Sequence, residues 1–189
     1  MLQSKEATAA LLSPRDPQPV EIVNAEGGSA VVLSCEHSGR AIPERLGGLG
    51  VSPADMERHI AWDIGAEAVS RRLSALLDAP LVLQSYSRLV VDCNRPFDAR
   101  ECIPEVSDGT RVPGNEGLDA SERQRRFKEI HQPFHRSLAQ VLDRRAGRPA
   151  FLVAVHSFTT RLVGGASRPW HLGVLFNRDS RLANRFLAE

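Results

Sequence analysis

Residues 30–37 read Ala30-Val31-Val32-Leu33-Ser34-Cys35-Glu36-His37, and residues 150–156 read Ala150-Phe151-Leu152-Val153-Ala154-Val155-His156. Each is a short, largely apolar run rich in β-branched residues, and each delivers a histidine at its C-terminal end. Continuous rather than alternating hydrophobicity marks strands buried on both faces, as in parallel sheets covered by helices. Helix signals separate the two runs. Ser52-Pro53 with Asp55 in the first turn opens one helix. Met56, Ile60, Ile64, Ala68, Leu73, Leu76 and Leu77 carry its apolar stripe to a stop at Asp78-Ala79-Pro80. Asp119-Ala120-Ser121-Glu122 opens a second, capped helix to about residue 146, with a kink at Pro133. Leu81–Leu83, Leu89–Cys93 and Leu172–Phe176 read as further strands, and a last helix begins at Asp179. The alternation predicts an α/β fold with a mainly parallel sheet between helical layers. Residues 1–29, with Pro14, Pro17 and Pro19, read as a mobile arm with a short extended piece near Val20–Val23. Residues 30–189 read as a single α/β domain, with a long loop at 98–118 of the kind that is functional or disordered.

Length and charge narrow the function classes. The chain has 189 residues, enough for one α/β domain. Its 24 basic and 23 acidic residues leave a formal charge of +1, so no global field points to nucleic acid. No apolar run approaches the roughly 18 residues of a membrane span. The polar, Pro-rich N-terminus lacks the apolar core of a secretory leader. Cys35, Cys93 and Cys102 are an odd set without a C-x-x-C pair, which fits a reducing, cytoplasmic setting and small buried side chains. The expected partner is a small molecule, and the sequence carries no signal for an oligomeric state.

In open α/β sheets ligands bind outside the C-terminal strand ends. His37 and His156 stand at two such ends, and Asp92-Cys93-Asn94-Arg95 closes a third expected strand. Imidazole suits zinc, and a catalytic zinc takes three protein ligands and a water. Asp63 is the choice for the third, on the helix after the first site, where His59 and Asp63 would share a face; an ordinary ion pair is the alternative. Glu36 is the rival ligand. In an extended segment it would point away from His37, whereas a turn would bring it round as a general base. His131 and His135 are also four apart, but Gln132 stands where a zincin has Glu and Pro133 bends the backbone. They either shape the pocket or lie on a helix surface.

Cys35-Glu36-His37-Ser38-Gly39-Arg40-Ala41-Ile42-Pro43, Trp62-Asp63-Ile64-Gly65-Ala66 and Tyr86-Ser87-Arg88-Leu89-Val90-Val91-Asp92-Cys93-Asn94-Arg95-Pro96 follow one another in the chain. His131-Gln132-Pro133-Phe134-His135 and His156-Ser157-Phe158-Thr159 come after them. Together, over about residues 30 to 185, they resemble the N-formylglutamate amidohydrolase family, itself similar to zinc carboxypeptidases and aspartoacylase-like deacylases. The resemblance implies a three-layer αβα sandwich with a mainly parallel mixed sheet, phosphorylase/hydrolase-like. It implies His37 and His156 as zinc ligands, with Asn94 and Arg95 as a clamp for the substrate carboxylate, a task that suits the guanidinium fork. The peptidases place a ligand Glu three residues after the first His, where this chain has Arg40, so Asp63 rests on its position alone.

The expected reaction is zinc-dependent hydrolysis of an N-acyl amino acid, with N-formyl-L-glutamate the substrate the resemblance implies. His37, Asp63 and His156 would hold the metal and Glu36 would move the proton. Asn94, Arg95, Arg88 and His135 would bind the substrate. The family pattern continues past Glu189 to a strand bearing a Glu, so the sequence reads as a domain incomplete at its C-terminus. The alternative is a non-catalytic module that binds acidic amino acids or a partner.

Overall fold

The computed structural model describes residues 10–188. Its central sheet has four strands, β1 (Val20–Val23), β2 (Val31–Cys35), β3 (Leu81–Gln84) and β6 (Phe151–Ala154), in the order β1-β3-β2-β6. β2 runs parallel to both neighbours, and β1 closes the β3 edge antiparallel. The two apolar runs therefore lie side by side, with Leu33 opposite Val153 and Ser34 opposite Ala154. Parallel strands in this register end on the same edge of the sheet. His37 and His156, three and two residues beyond that last pair, emerge next to one another.

Successive side chains of β2 and β3 enter different cores. Val32 and Val82 pack with Phe134, Leu138 and Val141 of α4 (Gln132–Asp143). Leu33, Cys35, Leu81 and Leu83 pack with Ala66 and Leu73 of α2 (Ala66–Leu77). A helix on each face of a mixed, mostly parallel sheet gives the three layers expected. The chain divides into two compact units, Met1–Ser157 and Phe158–Glu189. The second carries α5 (Arg181–Leu187), where Asp179 accepts the Arg181 N–H (3.1 Å).

Several elements differ from the sequence reading. Of the expected N-terminal arm, residues 1–9 lie outside the described residues. Residues 10–29 belong to the fold: Leu11 is buried, β1 pairs with β3, and the Gly28 N–H donates to Asp78 (2.8 Å). The first helix is not continuous. α1 (Pro53–Met56) is a single turn capped by Ser52, and α2 starts only at Ala66. Between them the Asp63 N–H donates to the His37 carbonyl (2.9 Å), and Ser87 and Arg88 both donate to the Ala61 carbonyl. Gly65 then takes a left-handed conformation at φ 82°. Tertiary partners thus claim the backbone groups a helix would need, and Asp63 and His59 share no helix face.

Leu89–Cys93 is a buried turn rather than a strand. Its apolar residues need burial, but its backbone finds side-chain partners. Asn115 donates to the Leu89 carbonyl (2.8 Å), and Arg126, 1% exposed, donates to the Val90 carbonyl (3.3 Å) and to Asn115 (2.6 Å). Buried carbonyls must be satisfied, and here long-range side chains do what a neighbouring strand would do. Those side chains come from the 98–118 segment and α3 (Ala120–Arg126). The segment is ordered, with a small hairpin of β4 (Val106–Ser107) and β5 (Thr110–Arg111). Residues 172–176, expected as a strand, form none.

Candidate metal centre and the turn beside it

The cluster is built at the end of β2. The chain turns at Glu36 and His37, so both side chains face the sheet edge. Gly39 makes the turn possible: its N–H donates to the Gln84 carbonyl (2.8 Å), and a Cβ there would lie 1.9 Å from the Ser85 carbonyl oxygen. His37 is hydrogen-bonded at one ring nitrogen. Nε2 meets Asp92 Oδ1 at 2.7 Å, and Nδ1 lies 3.4 Å from Asp63 Oδ2. That same Asp63 oxygen accepts from His156 Nδ1 (2.9 Å) and from the Ser157 N–H (3.2 Å). The His37 and His156 rings are 5.0 Å apart. One ligand atom each from His37, Asp63 and His156 lies within 4.8 Å of the others.

Two buried atoms at this point have no hydrogen-bond partner, His37 Nδ1 and Glu36 Oε2. The Glu36 carboxylate receives the Ser34 hydroxyl on Oε1 (2.8 Å) and leaves Oε2 3.3 Å from His156 Nε2. His37 Nδ1 lies beside Asp63 and Glu36 Oε2 beside His156, at ion-pair distance but without a hydrogen bond. A divalent cation held by His37, Asp63 and His156 would give His37 Nδ1 its partner. The donor set, two imidazoles and a carboxylate, is one that zinc accepts in catalytic sites. The group could therefore hold a metal ion. His156, with 31% of its side chain exposed, is the one ligand open to solvent.

The electrostatics tie the cluster together. Burial alone would push the His37 pKa down, but its bonds to Asp63 and Asp92 outweigh this and raise it. Burial would push Asp92 up, yet the His37 bond and the charges of His37 and Arg88 bring it down to about 2. Asp63 is likewise held well below the usual carboxylate range by His156 and His37 against the effect of burial. Arg88 bridges the two acids, with NH2 on Asp92 Oδ2 (2.7 Å) and NH1 3.4 Å from Asp63 Oδ1. Arg88, which the sequence reading offers as a second substrate anchor, has its guanidinium on these two carboxylates. His59 faces Asp108 (3.1 Å), not Asp63.

Asp92 is the residue that sequence reasoning left without a role. It lies within the Asp-x-Asn-Arg stretch and joins the His37 cluster to the Asn94–Arg95 turn. The Oδ1 atom that holds His37 also accepts the Asn94 N–H (2.8 Å). The only sequence signal is a carboxylate at the end of an expected strand in a protein whose other strand ends supply histidines, a carboxylate being the usual partner of a metal-binding imidazole. Asn94 and Arg95 themselves are exposed at the tip of the turn, Arg95 donating to the Asn94 carbonyl (2.8 Å). His135 reaches the same turn through its backbone, Nε2 to the Cys93 carbonyl at 2.8 Å. The cysteines stay apart from this chemistry. Burial raises Cys35 to about 12 and Cys102 to about 11, and also raises Cys93 well above the ordinary thiol value, so all three remain thiols.

No helix among the described residues is long and apolar enough to cross a membrane. No curated protein matches the chain. Among solved structures, gene product Atu2144 from Agrobacterium tumefaciens matches with a TM-score of 0.91 at 39% identity, over 94% of this chain and 71% of its own. The N-formylglutamate amidohydrolase from Ralstonia eutropha JMP134 matches with a TM-score of 0.53 at 20% identity, a likeness of fold. This chain covers 58% of that protein's length. The family description "N-formylglutamate amidohydrolase" fits residues 29–189, a span that takes in β2, the Asp63 loop, the Asp92–Arg95 turn and β6 with its histidine. The chain belongs to the N-formylglutamate amidohydrolase family.

Proposed function

We propose that this protein hydrolyses the amide bond of an N-acyl amino acid, with N-formyl-L-glutamate as the first substrate to test, and that it uses one zinc ion held by His37, Asp63 and His156. The observation that supports the reading most is the group itself: His37, Asp63 and His156 each present a ligand atom within 4.8 Å of the others, and His37 Nδ1 among them has no hydrogen bond. Bound there, the ion would polarise the scissile carbonyl and lower the pKa of water.

The chain's own residues divide the remaining work. Asn94 and Arg95, exposed on a turn tied to the cluster through Asp92, take the substrate carboxylate. Two parallel N–H bonds from a guanidinium fix both its position and its direction. Binding energy at that remote group then holds the amide in place for attack. Glu36 accepts the proton of the attacking water on Oε2 and returns it to the leaving amine. Among the three carboxylates of the cluster it alone has an oxygen without a hydrogen bond, whereas Asp63 and Asp92 are engaged by His156, His37 and Arg88. Ser34 keeps the other Glu36 oxygen oriented. Arg88 holds Asp63 and Asp92 in register and so serves the ligands, not the substrate.

The test is formate release from N-formyl-L-glutamate by zinc-loaded protein, alongside a panel of N-acyl amino acids. Turnover that disappears with chelator and returns with zinc supports the reading. No turnover of any panel member by fully loaded protein overturns it.

A further inference from the structure

Pro133 falls inside the second helix, where it has no N–H for the Glu129 carbonyl and its ring would crowd that group. The chain adjusts with one π turn, Phe127–His131, in which the Gln132 N–H donates to the Phe127 carbonyl. Such turns insert a residue and re-aim the side chains around them, which is why they recur at functional sites. Here the re-aimed residues are His131 and His135. Their rings lie 4.4 Å apart, and His131 stacks on Phe127 at 4.1 Å. Phe127 in turn meets Phe97, just past the Asn94–Arg95 turn, at 4.7 Å.

Both histidines point at backbone. His131 Nε2 is 3.0 Å from the Arg95 carbonyl, and His135 Nε2 is 2.8 Å from the Cys93 carbonyl. A carbonyl only accepts, so both Nε2 atoms carry the proton. The two bonds fall on the residues that flank Asn94. From the opposite side, Asp92 accepts the Asn94 N–H through Oδ1 and the Arg95 N–H through its carbonyl (3.2 Å). The turn is thus gripped between an acid that also holds His37 and a pair of histidines from the helix.

We propose that His131 and His135 are positioning residues that fix the separation between the metal centre and the Asn94–Arg95 pair, and so select the length of the amino acid whose carboxylate is captured. This rests on the hydrolytic reading above. Without the grip, Asn94 and Arg95 would keep their chemistry but lose their reach, and a substrate one methylene shorter would compete better.

The partly exposed His135 is the safer position to alter. His135→Ala is expected to raise KM for N-formyl-L-glutamate roughly 3- to 30-fold, the cost of one hydrogen bond that fixes a binding group. Its kcat and zinc affinity should stay near the wild-type values. The preference for N-formyl-L-glutamate over N-formyl-L-aspartate in kcat/KM should fall. His135→Gln, which places an amide N–H close to the position of Nε2–H, should restore both KM and preference. Unchanged KM and preference in His135→Ala would overturn the proposal. So would a joint loss of kcat and zinc affinity that Gln does not rescue. If the wild type hydrolyses neither substrate, L-glutamate affinity of the zinc-loaded proteins decides on the grip: weaker binding by His135→Ala upholds it, and equal binding refutes it.

Discussion

The two regions that the proposed function joins, the His37 cluster and the Asn94–Arg95 turn, are held in opposite ways. Around the end of β2, side chains do the gripping: His37, Asp63 and Asp92 are buried, and His37, placed by the turn after Cys35, stands between the two acids. At the Asn94–Arg95 tip it is backbone that is gripped, by Asp92 on one side and two histidines on the other, while the functional side chains stay exposed. The difference suits the tasks proposed for the two regions. A metal centre gains from fixed, partly dry ligands whose charges are strengthened by low dielectric. A carboxylate clamp must meet its ligand from water, so rigidity has to come from the main chain behind it. Asp92 belongs to both halves, and it is where they can be separated.

The largest effect should come from Glu36→Gln. Loss of a proton-transfer carboxylate is expected to lower kcat by roughly 10²- to 10⁴-fold, with zinc affinity close to wild type in a metal titration. Loss of zinc binding in that variant would instead make Glu36 a ligand. Asp92→Asn strikes the shared residue. Zinc affinity should fall roughly 10- to 100-fold, the usual cost of removing the partner of a metal-binding histidine, and KM should rise in the same variant because the turn loses its inner hold. An affinity change without a KM change would show that the halves are independent. The smallest effect belongs to Arg95→Lys. It keeps the charge but not the fork, so KM should rise about 5-fold, the equivalent of one hydrogen bond, with kcat and metal affinity unmoved.

The sequence made His37 and His156 legible because each directly follows a continuous apolar strand, and parallel strands bring their C-terminal ends together. Asp63 was legible as a residue but not as a position. Helical spacing from Met56 to Leu77 suggested one helix, and nothing local reveals that the His37 carbonyl and the Ser87–Arg88 backbone capture residues 61 and 63. Leu89–Cys93 misled for a related reason. Its apolar side chains read as a strand, while the partners of its carbonyls, Asn115 and Arg126, are more than twenty residues away. Asp92 went unassigned because its bond to His37 joins residues 55 apart in the chain. Pattern reports burial well; it does not report which buried backbone group pairs with which distant side chain. The grip of His131 and His135 lay between these cases. Their spacing was visible, but Pro133 concealed the π turn that aims them.

The most direct test is zinc K-edge X-ray absorption on the zinc-loaded protein and on His37→Ala. The wild type should bind one zinc with two imidazole nitrogens at about 2.0–2.1 Å and carboxylate or water oxygens completing a tetrahedral shell, and His37→Ala should lose one imidazole from that shell or lose the metal. No bound zinc in the wild type, sulfur in its coordination shell, or a spectrum unaltered by His37→Ala would contradict a centre built from His37, Asp63 and His156.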